Sequence, residues 1–496
     1  MDGHLNHLRG EDRTPRGILK ERWEELCRSH LPVRPADSIW RYSRGQSPAD
    51  PEQGWKLHLP ATVLTAVRVL QIVGPFLRER GVLFKAPATL HELDKLNSGV
   101  VYGYSQVGKF LTVYPRTEEE AVRLARALHR LTRGMEAPAV PFDLKYREGG
   151  CVYYRYGAFK TLEVEGERGE PTYAIRDPEG HLVPDRRDSA APPAWVTDPF
   201  TPKRPRAGAA RPPTPLSTTF RAFRALTQRG RGGVYQALDL SVRPPRLCIL
   251  KEGRKDGEVG WDGRDGLWRV RHEGRVLASL RGAGVDVPRV YASFGAGENH
   301  YIAVEFIEGE SLEGWLCRRR RRLSVAAALA CGAELARLVS RVHAAGWVWR
   351  DCKPGNVIIT RGGRMRPLDF EGACPVGRPD PLPWGTTCYV PPELWDDFRG
   401  QSRLPEDLYA LGAVVYLLFA GCPPDFPNPV PVERMRKGVP AEARKIVGQL
   451  LDPDPGRRPR AREAALRLEA AAAELTPRRG RVAGAAPGRV AVRASG

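Results

Sequence analysis

The sequence predicts an α+β protein in two parts: a mixed N-terminal unit, then a small β-rich lobe followed by a larger helical one. Three observations carry this. Residues 188–217 are rich in Pro, Ala and Arg with no hydrophobic period, which reads as a linker. Beyond it, strand-like runs come first, at 233–237, 247–251 and 301–307. Helical patterns follow over 324–345, 405–420 and 440–452, with apolar residues near every third or fourth position. Before the linker, runs such as Trp55-Lys-Leu-His-Leu alternate, which puts Lys56 and His58 on one face of a strand. The expected division is therefore 1–187, the linker 188–217, a second domain over 218–475 ending in the Ala-rich helix 461–475, and a basic tail 476–496.

Composition narrows the class. At roughly 150 residues per domain, 496 residues make about two to four domains. With 42% hydrophobic and 8% aromatic residues the chain is globular rather than disordered. No run approaches the ~18–20 apolar residues of a membrane helix, so no membrane span is expected. The first residues lack the apolar region of a secretory signal. Nine cysteines without a C-x-x-C pair argue against a zinc ribbon or disulfide scaffold, and for a reducing cytoplasm.

The charge of +20 invites a nucleic-acid reading that its distribution weakens. Fourteen cations sit in three places: Lys203, Arg204, Arg206 and Arg211; the run 318–322; and Arg478, Arg479, Arg481, Arg489 and Arg493. These read as linker, helix surface and tail, and no nucleic-acid-binding motif accompanies them, so no nucleic-acid partner is expected.

The chemistry is concentrated in Trp347-Val-Trp-Arg-Asp-Cys-Lys-Pro-Gly-Asn-Val-Ile-Ile and Pro367-Leu-Asp-Phe-Glu. Asp351 and Asn356 are five apart with Lys353 between them, and Asp369 lies eighteen beyond Asp351. Phosphoryl transfer from ATP needs these types. One carboxylate takes the hydroxyl proton, a lysine offsets charge on the moving group, and an amide with a second carboxylate holds Mg²⁺. The segment resembles the protein-kinase catalytic loop and metal-binding motif. The resemblance implies a two-lobed protein-kinase fold in which Lys251 meets the nucleotide phosphates, Glu273 pairs with it, and Glu305 begins the hinge facing adenine. It also implies that Glu393 pairs with Arg458 and that Asp407 braces the catalytic loop. Lys353 and Thr386 favour Ser/Thr over Tyr as acceptor.

Three motifs depart from that pattern. In Thr227-Gln-Arg-Gly-Arg-Gly-Gly-Val only Gly232 falls on a family glycine, while Gly230 and Gly233 are expected to keep the phosphate loop flexible. Trp349 replaces the usual histidine and reads as an apolar packing substitute, and the Asp-Phe-Gly motif has become Asp369-Phe370-Glu371.

In the N-terminal part, Lys56, His58, Lys85, Lys109 and Arg155 lie in strand-like runs among apolar residues. Two readings stand: lysines snorkelling on half-exposed strands, or donors gathered for an anionic phosphate. The motifs Gln53-Gly-Trp-Lys-Leu-His, Phe84-Lys, Leu96-Asn-Ser, Gly108-Lys-Phe-Leu-Thr-Val-Tyr-Pro, Tyr154-Arg-Tyr-Gly and Arg176-Asp-Pro-Glu-Gly-His-Leu-Val-Pro-Asp-Arg resemble the N-terminal domain of class III lanthipeptide synthetases. That domain is similar to bacterial phosphothreonine lyases. The resemblance implies a separate α+β lyase-like domain that removes phosphate from Ser/Thr phosphorylated by the kinase, leaving dehydroamino acids. By motif Lys85 is the base and His58 the acid, with Lys56, Lys109 and Arg155 gripping phosphate. A lysine can be such a base only if burial or like charge lowers its pKa. Gly99 stands where the family would carry a basic residue. Full-length members also have a cyclase with a Cys/Cys/His zinc site; no such segment follows the kinase helices, so a separate cyclase is expected wherever rings are made. The residues leave three functions open: a coupled kinase and lyase acting on a Ser/Thr peptide, a stand-alone Ser/Thr kinase whose N-terminal unit only binds substrate, and a pseudokinase scaffold.

Overall fold

The computed structural model describes residues 15–166, 169–200, 213–380, 382–394, 403–425 and 428–475. The basic residues at 203–211 and the expected tail lie outside the described residues. Two compact units form: residues 1–278 with 288–306, and 279–287 with 307–496. The small β-rich lobe thus groups with the N-terminal part.

In the first unit, α1 (Pro15–His30) precedes a six-stranded antiparallel sheet. Its strands are β1 (Trp40–Tyr42), β2 (Gln53–Leu59), β3 (Leu83–Pro87), β4 (Leu111–Tyr114), β5 (Leu144–Lys145) and β6 (Tyr153–Ala158), in the order β1-β3-β4-β2-β6-β5. Helices α2 (Ala66–Glu79), α3 (Leu90–Ser98) and α4 (Glu118–Leu131) connect them. The helix ends follow local chemistry. Thr117 accepts the Glu120 N–H at the start of α4, whose first turn is acidic and last turn basic, matching the helix dipole.

Period-two alternation divides the sheet cleanly. Leu57 and Leu59 of β2, Phe84 of β3, Leu111 and Val113 of β4 and Tyr154 of β6 join Trp23, Val73 and Leu124 in the core. The register places Lys85 opposite Thr112, Thr112 opposite His58, and Lys56 opposite Arg155. Directly paired residues share a face, so these polar groups occupy the side opposite the core. Lys109 is an exception to the expected strand: β4 starts only at Leu111, and Lys109 sits in a turn after Gly108, donating its N–H to the Gln106 carbonyl.

A three-stranded sheet follows, of β7 (Glu163–Glu165), β8 (Pro171–Arg176) and β9 (Leu182–Pro184). Part of the stretch read as linker is packed. Val196 and Phe200 lie against the N-terminal core, the Phe200 ring 4.2 Å from that of Tyr154, whose hydroxyl donates to Asp198. Two apolar side chains in an otherwise Pro-rich run suffice to anchor it.

After α5 (Pro215–Thr218) come β10 (Phe220–Arg229), β11 (Gly232–Asp239), β12 (Arg246–Gly253), β13 (Val290–Ala296) and β14 (Asn299–Glu305), in the order β10-β11-β12-β14-β13, with α6 (Gly266–Gly282). The second unit continues through β15 (Gly309–Ser311), α7 (Leu312–Cys317), α8 (Val325–Ala344), β16 (Trp347–Val348), β17 (Val357–Thr360), β18 (Met365–Pro367) and β19 (Cys374–Pro375). Helices α9 (Leu404–Ala420), α10 (Val432–Met435), α11 (Ala441–Leu450) and α12 (Ala461–Glu474) complete it. Nearly all of α9 is buried, as its continuous apolar sequence requires. The Arg run at 318–322 follows α7 instead of coating a helix: Arg319 lies over the Trp315 ring and Arg322 donates to the Met435 carbonyl. No helix among the described residues is long and apolar enough to cross a membrane.

Because Phe84 is fully buried on the apolar face of β3, Phe84→Ala should destabilise the N-terminal part by about 3–5 kcal/mol. Denaturant titration followed by tryptophan emission checks this; a loss under about 1 kcal/mol would contradict the face assignment.

Candidate active sites

Asp407 organises the first site. It is fully buried in the first turn of α9 and accepts the successive main-chain N–H groups of Trp349 (2.7 Å) and Arg350 (2.6 Å). Arg350 takes a left-handed backbone (φ 68°), and its guanidinium binds Glu406 at 3.1 Å. This bend presents Asp351. Lys353 Nζ lies 2.8 Å from Asp351 Oδ2 and 2.7 Å from Thr386 Oγ1, and Thr386 donates to Asp351 Oδ1 at 2.8 Å. Asn356 Nδ2 donates to Asp351 Oδ2 at 2.8 Å.

Asp369 follows in a left-handed conformation (φ 59°), tied to this loop by the Leu368 N–H on the Asn356 carbonyl. An amide oxygen and a carboxylate are hard donors that suit Mg²⁺, which takes few protein ligands and fills its shell with phosphate and water. Trp349 does more than pack. Its indole N–H donates to the carbonyls of Leu368 and Asp369 while its ring stacks on Phe370, so the side chain read as an apolar packing substitute also makes a polar link. Glu393 and Arg458 form the expected bidentate pair, at 2.5 and 2.8 Å.

In the first unit, Lys251 on β12 donates to both carboxylate oxygens of Glu273 on α6, at 2.6 and 2.8 Å. Glu305 ends β14; its N–H is spent on the Arg289 carbonyl. The phosphate loop is the hairpin between β10 and β11. Two of its glycines also mark close backbone approaches. Gly230 donates its N–H to the Ser98 carbonyl at 3.0 Å, and a side chain at Gly232 would overlap the Glu252 carbonyl. Gly233 pairs with Gln228 in the hairpin.

The polar face of the N-terminal sheet carries the second site. Lys85 and His58 flank Thr112 in one cross-strand row, two strand spacings or about 10 Å apart. A cavity of about 810 Å³ opens here, with Lys56, Lys85 and Arg187 among its walls. Burial, then the neighbouring charges of Arg187 and Lys109, push the Lys85 ammonium down to about 7, and its Nζ lies 4.1 Å over the Trp40 ring. Burial also holds Lys56 and Lys109 below the usual lysine range.

His58, Lys109 and Arg155 are buried and already engaged rather than lining the cavity. His58 Nδ1 is 2.5 Å from Asp143 Oδ2, Lys109 is 3.6 Å from Asp143, and Arg155 bonds Asp185 at 2.7 Å. Burial pushes the His58 imidazole down to about 4 against the pull of Asp143.

Sequence reading missed three of these groups. Arg187 directly follows the Asp185-Arg186 end of the last quoted motif and was one position away. Asp143 and Trp40 have no local signal, because only the tertiary fold brings them to His58 and Lys85.

Residues 30–212 match the family described as RamC, N-terminal domain, and residues 232–467 match the protein kinase domain. The probable SapB synthase of Streptomyces coelicolor is 33% identical over 401 residues, covering 78% of this chain and 41% of that protein. A match of that length exceeds either domain alone. The serine/threonine-protein kinase PknA of Mycobacterium tuberculosis is 32% identical over 217 residues, 42% of this chain and 48% of the kinase. The chain thus spans less than half the length of these relatives.

The low lysine pKa is directly measurable. Carbon-13 NMR of labelled lysines, with Lys85 assigned by its loss in Lys85→Arg, should show one ammonium titrating near pH 7 among neighbours near 10.4. Lys109→Met removes one of the like charges and should move that midpoint upward. An unperturbed Lys85, or a downward movement, would refute the electrostatic account.

Proposed function

We propose that this chain, which joins a RamC-type N-terminal domain to a protein kinase domain and is similar to class III lanthipeptide synthetases, phosphorylates Ser/Thr of a peptide and then eliminates the phosphate. The match to a protein kinase domain supports a phosphotransferase, and such domains in general use ATP and a divalent metal. In the transfer, Asp351 accepts the proton of the Ser/Thr hydroxyl as its oxygen attacks the γ-phosphorus, and Lys353 offsets the charge that moves. Lys251, fixed by Glu273, contacts the nucleotide phosphates, the loop of Gly230, Gly232 and Gly233 covers them, and Glu305 begins the stretch facing adenine. Asn356 and Asp369 would hold Mg²⁺, whose positive charge screens the phosphates. The formed Lys251–Glu273 pair and the intact Asp351 network weigh against a pseudokinase.

In the elimination, neutral Lys85 removes the Cα proton and His58 gives a proton to the bridging oxygen. The Cα–H and Cβ–O bonds break, a Cα=Cβ bond forms, and inorganic phosphate leaves. Lys56, Lys109 and Arg155, together with Arg187, hold the phosphate. A phosphate dianion beside His58 raises the imidazole pKa, so the acid gains its proton as substrate arrives.

The observation that carries this reading is Lys85: a half-buried lysine brought to about 7 beside other cations, on the face of a sheet that bears a histidine. A second reading, in which the N-terminal domain only binds phosphopeptide, is favoured by the pairing of His58 and Arg155 with Asp143 and Asp185. A separate cyclase and a cytoplasmic setting accompany the first reading as proposals.

Mass spectrometry of a Ser/Thr peptide after incubation with ATP and Mg²⁺ decides between them. Loss of ~18 Da means dehydration, whereas a gain of ~80 Da means transfer alone. Lys85→Ala should slow elimination by about 10²–10⁴-fold and turn the first result into the second. Asp351→Asn should abolish both. Elimination of a pre-phosphorylated peptide should rise with pH through about 7 and then level off, since the folded pKa is lowered and the base works deprotonated. A rate falling over that range would contradict Lys85 as base.

A further inference from the structure

Two sequence departures that look unrelated meet at one contact. Gly99 replaces an expected cation in the N-terminal domain, and the kinase phosphate loop lacks two family glycines yet keeps Gly230. In the structure Gly99 ends α3 in a left-handed conformation (φ 70°), where a side chain would press on Val107 at 2.8 Å. Its neighbour Ser98 accepts the Gly230 N–H, and a side chain at Gly230 would overlap the Asn97 carbonyl oxygen. Asn97 cannot yield easily. It is buried, donates to the Ala61 carbonyl at 2.9 Å and accepts the Gly108 N–H at 3.3 Å.

The contact extends beyond the hairpin tip. Arg254, just after β12, donates to the Arg229 carbonyl at 3.1 Å, and its main-chain N–H bonds the Arg231 carbonyl at 2.8 Å. Its guanidinium lies 4.9 Å over the ring of Tyr104, in the N-terminal domain. Further along the same connection, Trp261 packs on the N-terminal core, with Arg16 over its ring. That connection leads into α6, which carries Glu273. The N-terminal domain therefore holds both the phosphate loop and the entry to the helix that positions Lys251.

The holding segment has a second side. Leu96, Tyr102, Ser105 and Gln106 line the basic cavity, while Asn97 and Ser98 meet the hairpin tip and Tyr104 lies under Arg254, which bonds the hairpin. We propose that residues 96–106 are a strap joining the two sites, so that phosphate in the N-terminal cavity changes the affinity of the kinase for nucleotide. By linkage, nucleotide changes phosphate affinity by the same factor. A loop pinned in this way has no need of the missing glycines, whose use elsewhere is freedom of movement. The inference rests on the cavity taking phosphate but not on elimination. A chain that transfers phosphate and never dehydrates would fail the functional reading and still show the coupling.

Calorimetric titration of the full chain with Mg²⁺ and a non-hydrolysable ATP analogue, with and without saturating inorganic phosphate, tests this. The nucleotide Kd should change about fivefold or more. Tyr104→Leu should reduce the ratio below about twofold while the analogue still binds, and Tyr104→Phe, which keeps a ring under Arg254, should retain it. Arg187→Met, which removes a cation from the cavity wall, should abolish the phosphate effect. The inference is overturned by a ratio within twofold in the unmodified chain, or by one equally large in Tyr104→Leu. It is also overturned if the effect survives in Arg187→Met, which would place the phosphate at the nucleotide site itself.

Discussion

A charge taken out of water without a partner costs several kcal/mol, and both sites are laid out by that constraint. Asp407 is buried beneath two main-chain N–H groups, and satisfying it forces the bend that exposes Asp351. Glu406 and Arg350 neutralise each other beside it. On the N-terminal sheet, Asp143 and Asp185 perform the same service for His58, Lys109 and Arg155. Lys85 is the contrast: cations and an indole face surround it, and lowering its proton affinity is the cheaper outcome.

Sheet register turns that electrostatic arrangement into geometry. A one-residue slip would send every polar group of β2, β3 and β4 into the core. Phe84, Leu57 and Val113 therefore fix the positions of Lys85 and His58 as firmly as any direct contact. The apolar face is in this sense part of the site, because it decides which side of each strand faces the cavity.

What could be read from sequence divides along the same line. Local signals worked. Alternation placed Lys56 and His58 on one face, and motif spacing singled out Asp351, Asn356, Lys251 and Glu273, whose side chains meet in pairs in the fold. Arg458 with Glu393 and Asp407 beneath the catalytic loop were legible for the same reason. Groups that meet only through tertiary folding were not: Asp143 beneath His58, Trp40 against Lys85, and Phe200 returning from a Pro-rich run to the core. Glycine was only partly legible. At Gly230 it reads as freedom of movement, and the fold adds a backbone approach too close for a methyl group.

That approach bears on how such chains can be recombined. Gly230 has no room beside Asn97, and Gly99 is held left-handed next to it. A kinase domain with an ordinary side chain at the hairpin tip could not be grafted onto this N-terminal domain without opening the contact. The inheritable module is therefore not either domain alone. It is the pair of short segments, 97–99 and 230–232, which must be exchanged together or left together.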